Sequence, residues 1–168
     1  MPTTTTSGDN SSDSFLHLQT KRAGKVKGEA TNAGHEDDII VTGWRWGLTS
    51  HAALGGGNNK ERRSYTALTI EKRIDRASTG LMSALVSNDE VKEAKLTLRR
   101  AGGKQEEYFT VTVSDARVAS LNHDTDADGY PRETVSIVFT KIEAEYTPQL
   151  ATGLRGGSTS FVDEIYAG

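Results

Sequence analysis

The residues whose spacing most directly suggests chemistry are three alternating carboxylates, Asp124, Asp126 and Asp128, followed by Gly129. Carboxylates spaced this way around a glycine turn form the first half of a calcium loop, where they converge on one cation. The second half is missing. The twelfth position, which requires a bidentate glutamate, is Val135, and the flanks read as strands rather than as the helices of an EF-hand. Asp and Gly are also ordinary turn residues, so the expectation is a solvated strand-to-strand loop. A calcium-binding β-module using Asp124, Asp126 and Asp128 is the rival reading from a different functional class.

The run His35, Glu36, Asp37 and Asp38 is a second set of ligand types, but neighbours on a strand point to opposite faces and cannot all meet one metal. It reads as a charged strand entry. His17, His51 and His123 fall in no zinc-protease spacing, and no serine occupies a Gly-x-Ser-x-Gly elbow. Gly55 to Gly57 lack the Lys-Ser or Lys-Thr pair and the helix start that make a glycine loop cradle phosphate. No catalytic residue, metal or cofactor is therefore expected, and a hydrolase assembled from scattered residues has no motif in its favour. Lys21, Arg22, Lys25 and Lys27 cluster without interleaved aromatics, the pattern of a solvated loop rather than a nucleic-acid surface.

Composition agrees. Twenty Lys and Arg against 23 Asp and Glu leave a formal charge of -3, with both signs mixed along the 168 residues, so no nucleic-acid partner is expected. With no cysteine, disulfides and thiolate metal sites are excluded. The polar start lacks the basic and apolar regions of a signal peptide, and no segment is apolar for long enough to insert in a membrane. Export, if it occurs, is expected to follow a route that reads the folded molecule or a partner.

The elements that must carry these residues are mostly strands. Period-two alternation runs through Leu16 and Leu18, through Ile40, Thr42, Trp44 and Trp46 with Ile39 and Val41 on the other face, and through Leu68 and Ile70. Ala94, Leu96 and Leu98 are separated by Gly102 and Gly103 from Phe109, Val111 and Val113, which predicts a hairpin. The Ile39–Trp46 strand, apolar on both faces, is expected to be covered on both sides, and Trp44 and Trp46 are core or interface anchors. Two strands change phase, Val113 to Ala116 and Phe139 to Ile142, as β-bulges do when they bend strands into a barrel. One helix is predicted over about Ser78 to Ser87, capped by Ser78 or Asp75, with Leu81, Met82, Leu85 and Val86 recurring at helical spacing. The resulting fold class is mainly β, an antiparallel β-barrel of two curved sheets with one short α-helix.

Residues 1–13 form a disordered tail too polar to offset the entropy of ordering, 14–150 the barrel domain, and 151–168 a C-terminal extension that either adds a strand or is ordered by neighbouring subunits. The glycine-rich segment between Gly47 and Arg63 is too long and polar for core and reads as a functional or disordered loop. The strands offer more half-apolar surface than one small core requires, and open edges invite pairing, so self-association is the natural use.

Lys27-Gly28-Glu29, Ile39-Ile40-Val41 and Trp44-Arg45-Trp46-Gly47 resemble the opening of the Hcp family of type VI secretion. Leu68-x-Ile70-x-Lys72, Asp75-x-x-Ser78-x-x-Leu81, Glu107-Tyr108 and Glu133-x-Val135 resemble its later elements, so that the likeness spans residues 14 to 148. Ala30 stands where the family usually has Ser, and Thr79 where Pro is common. The resemblance implies a homohexamer whose subunits meet head to tail and whose rings stack into a tube, with a spike protein, a sheath and small effectors as partners. It implies a protein that is cytoplasmic before firing and then secreted, without a signal peptide, to the extracellular space or a target cell. A contractile phage-like tail-tube subunit would meet the same physics. By the same resemblance the loop with Leu48, Gly55, Gly56, Gly57, Asn58, Asn59 and Arg63 is expected to contact the adjoining ring.

Overall fold

The computed structural model of the chain describes residues 13–51, 63–100, 106–150, 152 and 154–165. The elements follow in the order β1 (Asp13–Thr20), β2 (Gly24–Lys25), β3 (Ile39–Val41), β4 (Gly43–Arg45), β5 (Leu48–Ser50), β6 (Arg63–Tyr65), β7 (Leu68–Lys72), α1 (Ala77–Val86), β8 (Val91–Arg99), β9 (Glu107–Thr125), β10 (Pro131–Tyr146) and β11 (Thr159–Glu164). Of the tail expected over 1–13, residues 1–12 lie outside this description, as do the Gly102 and Gly103 of the predicted hairpin turn, while Asp13 is the first residue of β1 and pairs with Arg99. The hairpin's strands pair as expected, Leu98 with Phe109, Leu96 with Val111 and Ala94 with Val113.

The strands join, antiparallel throughout, in the order β2-β1-β8-β9-β10-β7-β4, with β3 on β1 and β11 on β10. The stretch Ile39–Arg45 returns the wall to its start. Its first half pairs with β1, its second half with β7, and it bends between them at Thr42, whose N–H donates to the Glu71 carbonyl at 2.9 Å. The expected single strand is therefore two short ones, and it is not covered on both sides: Ile39 and Val41 are buried, while Ile40 is 46% exposed.

The barrel curves along one line across three strands. On β8 the buried positions change parity between Val91 and Ala94, on β9 between Val113 and Ala116, and on β10 between Ile137 and Ile142. The register of β9 with both neighbours is the same on either side of this line, so both strands turn together rather than one bulging against the other. Asp115 sits on the line with a left-handed φ of 47°, and the Thr140 hydroxyl donates to its carbonyl at 3.1 Å. The register shifts lie elsewhere, between Gln19 and Thr20 on β1, between Leu98 and Arg99 on β8 and between Ser136 and Ile137 on β10.

Inside the wall, Leu18, Ile39, Leu68, Ile70, Leu96, Val111, Val113, Ile137 and Ile142 are fully buried. The helix closes the core with Ala77, Leu81 and Ala84, while Val86, expected on its apolar face, is 82% exposed because a residue two positions on from Ala84 points away from that buried face. Its start is capped by Asp75, whose carboxylate accepts the Ala77 N–H at 2.9 Å, while the Ser78 hydroxyl accepts the Asp75 N–H at 3.0 Å.

Two charged groups share this core. Lys72 and Glu133 have no exposed side-chain surface, and the ammonium lies 2.6 Å from Glu133 Oε1 and 2.7 Å from Asp75 Oδ1. Ser78 Oγ donates to Glu133 Oε1 at 3.1 Å, and His123 Nε2 donates to Oε2 at 2.5 Å. Burial alone would push the Glu133 carboxyl up, but hydrogen bonds from Lys72, His123 and Ser78 outweigh it and hold the group below the usual carboxylate range. This cluster ties β7, α1 and β10 together.

A second buried polar group corrects the expectation for residues 35–38. They form a turn rather than a strand, with Asp37 at φ 63°, so His35 and Asp38 point to the same place and are buried. His35 stacks on Phe15 at 4.5 Å and sets its ring nitrogens 3.0 Å from Asp38 Oδ2 and 2.9 Å from Glu107 Oε1. Glu36 and Asp37 are exposed.

Candidate functional site

The segment singled out as a contact loop rises from a two-stranded ribbon, β5 with β6, in which Leu48 pairs with Tyr65, Thr49 with Ser64 and Ser50 with Arg63. The ribbon forms its own small sheet, joined to β4 and β7 at one end by the Thr66 N–H to Gly47 carbonyl bond at 3.0 Å, so beyond that end side chains must hold it to the barrel. Aromatic rings do so on one flank. Trp46 stacks on Tyr65 at 6.4 Å between centroids, and Tyr65 meets Phe139 of β10 edge-on at 5.6 Å.

On the other flank Asp163 of β11 acts as a clamp. Arg63 Nε donates to its Oδ2 at 2.5 Å and Nη2 to its Oδ1 at 3.1 Å, the two-pronged geometry a guanidinium makes with a carboxylate. Nη2 also donates to the Glu164 carbonyl at 3.3 Å, and the Tyr65 hydroxyl donates to Asp163 Oδ2 at 2.7 Å. Hydrogen bonds from Arg63 and Tyr65 hold the Asp163 carboxyl below its ordinary range, whereas burial and its bond to Asp163 push the Tyr65 phenol up to about 12. The clamp is thus ionised at Asp163 and protonated at Tyr65 at neutral pH.

Of the predicted site residues, Leu48 sits at the base of the ribbon with 46% of its surface exposed, and Arg63 at its loop end opposite Ser50. Gly55, Gly56, Gly57, Asn58 and Asn59 lie outside the described residues. Trp44 and Trp46 are half-buried against the core, Trp44 through its pairing with Ile70. Asp163 and Tyr65 were missed by sequence reasoning, because a contact across 98 residues leaves no local trace.

The Asp124, Asp126 and Asp128 carboxylates do not converge. Asp124 takes two hydrogen bonds from Arg132 across the strand pair, at 2.9 and 2.8 Å, which hold its carboxyl below the usual range. Asp126 caps the turn, its Oδ1 accepting the N–H groups of Tyr130 and Asp128 at 2.9 and 3.0 Å while Arg73 approaches Oδ2 at 3.3 Å. No group of three or more metal-ligating side chains occurs among the described residues.

The remaining feature is backbone. β11 is paired only with β10, and β9 beyond Ala116 is paired only with β10, so these two longer edges, like those of the short strands β2, β5 and β6, carry unpaired ladder groups. Such edges are templates for another chain.

Residues 15–146 match the family described as type VI secretion system effector, Hcp. The chain is 32% identical over 140 residues to the protein hcp1 of Pseudomonas aeruginosa, covering 81% of this chain and 86% of the relative. The solved structure of a type six secretion system protein superposes with a TM-score of 0.77 at 25% identity, covering 89% of this chain and 92% of the other. Hcp1 from Salmonella typhimurium gives a TM-score of 0.72 at 26% identity over 91% and 95% of the two chains.

Proposed function

The chain belongs to the Hcp family of type VI secretion, and from that premise we propose that it is a structural, non-enzymatic subunit of the secretion tube. Six copies meet head to tail, each presenting one patch to a different patch of its neighbour, until the ring closes. Rings then stack into a tube that is cytoplasmic before firing and secreted afterwards, with a spike, a sheath and small effectors as partners. The observation that carries this reading is the pair of long open strand edges, on β9 beyond Ala116 and on β11, on the curved wall that the stretch Ile39–Arg45 returns to its start. An edge left unpaired on a stable curved wall is a liability unless another chain covers it, and an identical copy brings both edges.

Within that assembly the ribbon β5–β6 and the loop it carries contact the adjoining ring. Deleting Gly55 to Asn59 tests this assignment. Closed rings of unchanged mass that stack more weakly are the expected result, and unchanged tube formation rejects it.

A further inference from the structure

Asp163 does not belong to the loop, yet it holds the loop's base, and we propose that it is a positioning residue through which the C-terminal strand sets the pose of the stacking arm. The inference rests on the reading of β5–β6 as that arm. The ribbon pairs with no strand of the main sheet; its backbone is tied to β4 and β7 at one end, where the Thr66 N–H donates to the Gly47 carbonyl at 3.0 Å, and beyond that junction its orientation depends on side chains. Trp46, Tyr65 and Phe139 form a sliding apolar contact that fixes distance but little direction. Direction comes from Asp163, which binds two side chains of β6 two positions apart: both nitrogens of Arg63 and the hydroxyl of Tyr65. Residues two apart on a strand share a face, so one carboxylate gripping both fixes the rotation of β6 about its own axis. Arg63 reaches further along β11 to the Glu164 carbonyl, which adds a third point and fixes the sliding register.

The other end of the clamp is equally well anchored. Asp163 pairs with Ile142, a fully buried residue of β10, and the Ile165 N–H donates to the Thr140 carbonyl at 2.7 Å just beyond the strand. Asp163 therefore stands level with the bend of the barrel wall, on a strand whose far edge is open. A neighbour that pairs with this edge orders β11, and Asp163 passes that order to the arm. Ring closure and stacking become coupled through one side chain. Because its partners hold the carboxyl below the ordinary range, the clamp is constitutive near neutral pH rather than a pH switch.

The test uses the full chain and reads ring mass by sedimentation and the stacked fraction by negative-stain imaging. Asp163→Asn keeps the shape but loses the charge and an acceptor, and it is expected to leave ring mass unchanged while lowering the stacked fraction several-fold. Tyr65→Phe keeps the ring contacts with Trp46 and Phe139 and removes one bond, so a smaller loss is expected. The exchange Arg63→Asp with Asp163→Arg restores the charge pair and is expected to recover stacking, which a merely destabilised β11 would not do. If deletion of Gly55 to Asn59 weakens stacking but Asp163→Asn and Tyr65→Phe do not, or if the exchange fails to rescue, the positioning role is overturned while the arm reading stands. If that deletion itself leaves stacking unchanged, the arm reading fails first.

Discussion

Replacing Lys72 by Met should destabilise the fold by about 3 kcal/mol, and the structure says why the value lies there. The ammonium has no exposed surface and is held 2.6 Å from Glu133, 2.7 Å from Asp75 and 3.2 Å from Ser78. Methionine fills the same space, so little cavity cost is incurred, but Glu133 is left as a buried anion. Removing one partner of a buried pair costs roughly 3–5 kcal/mol. The lower end applies because Ser78 and His123 still donate to Glu133, and Asp75 keeps the Ala77 N–H. At roughly 2–4 °C per kcal/mol for a chain of this size, the melting temperature should fall by about 6–12 °C. Circular dichroism melts at one fixed protein concentration read this, since assembly adds apparent stability that varies with concentration. The acid limb gives a second signature. In the native protein the Glu133 carboxyl is held below 4.5, so its contribution is present above that value and is lost as pH falls through the lower, folded-state value. Without Lys72 burial is less opposed, the folded-state value rises, and acid unfolding should begin at higher pH. A melting temperature within about 2 °C of the parent, with an unmoved acid limb, would refute the argument that this pair anchors the core.

Two backbone predictions follow from particular positions. A Cβ on Gly28 would lie 2.4 Å from the Asp38 carbonyl oxygen and 2.7 Å from Ile39 Cα, both backbone atoms that cannot swing away. Gly28→Ala should therefore cost about 1–3 kcal/mol, seen as a lower urea midpoint at unchanged slope; an unchanged midpoint would mean that the 26–30 segment shifts freely. Asp115, at φ 47°, tolerates the left-handed region better than a branched residue. Asp115→Val should lose about 1–2 kcal/mol by the same measurement while Asp115→Gly is neutral or stabilising, and equal effects of the two would contradict the bend placed there.

The barrel was legible because its strands obey period two with turn residues between them, and the Ala94–Val113 hairpin follows from that pattern alone. The phase changes at Ala116 and Ile142 were visible too, but one strand's periodicity says nothing of its partner. That β9 and β10 turn together at Asp115 and Thr140, instead of bulging, needs the register. The buried ion pair had a readable signal that went unused. Lys72 continues the inward parity of Leu68 and Ile70, and Glu133 that of Val135 and Ile137, so two opposite charges sit at core positions. His35 and Asp38 were misread because the rule of alternating faces holds only on a strand, and Asp37 in the left-handed region makes a turn there. The clamp had no signal: Arg63, Tyr65 and Asp163 are ordinary surface residue types brought together across about a hundred positions by the pairing of β11 with β10. The glycine loop was recognisable only as a loop, and the family resemblance supplied its proposed role.

The central claim is that identical copies cover the open edges of β9 and β11 until a circle shuts. Sedimentation of the purified chain, with negative-stain images of the same sample, tests it most directly. Six chains of 18.1 kDa, about 109 kDa, in annular particles of six-fold symmetry are predicted. An 18.1 kDa monomer at high concentration, without annular particles across salt and pH, would contradict it.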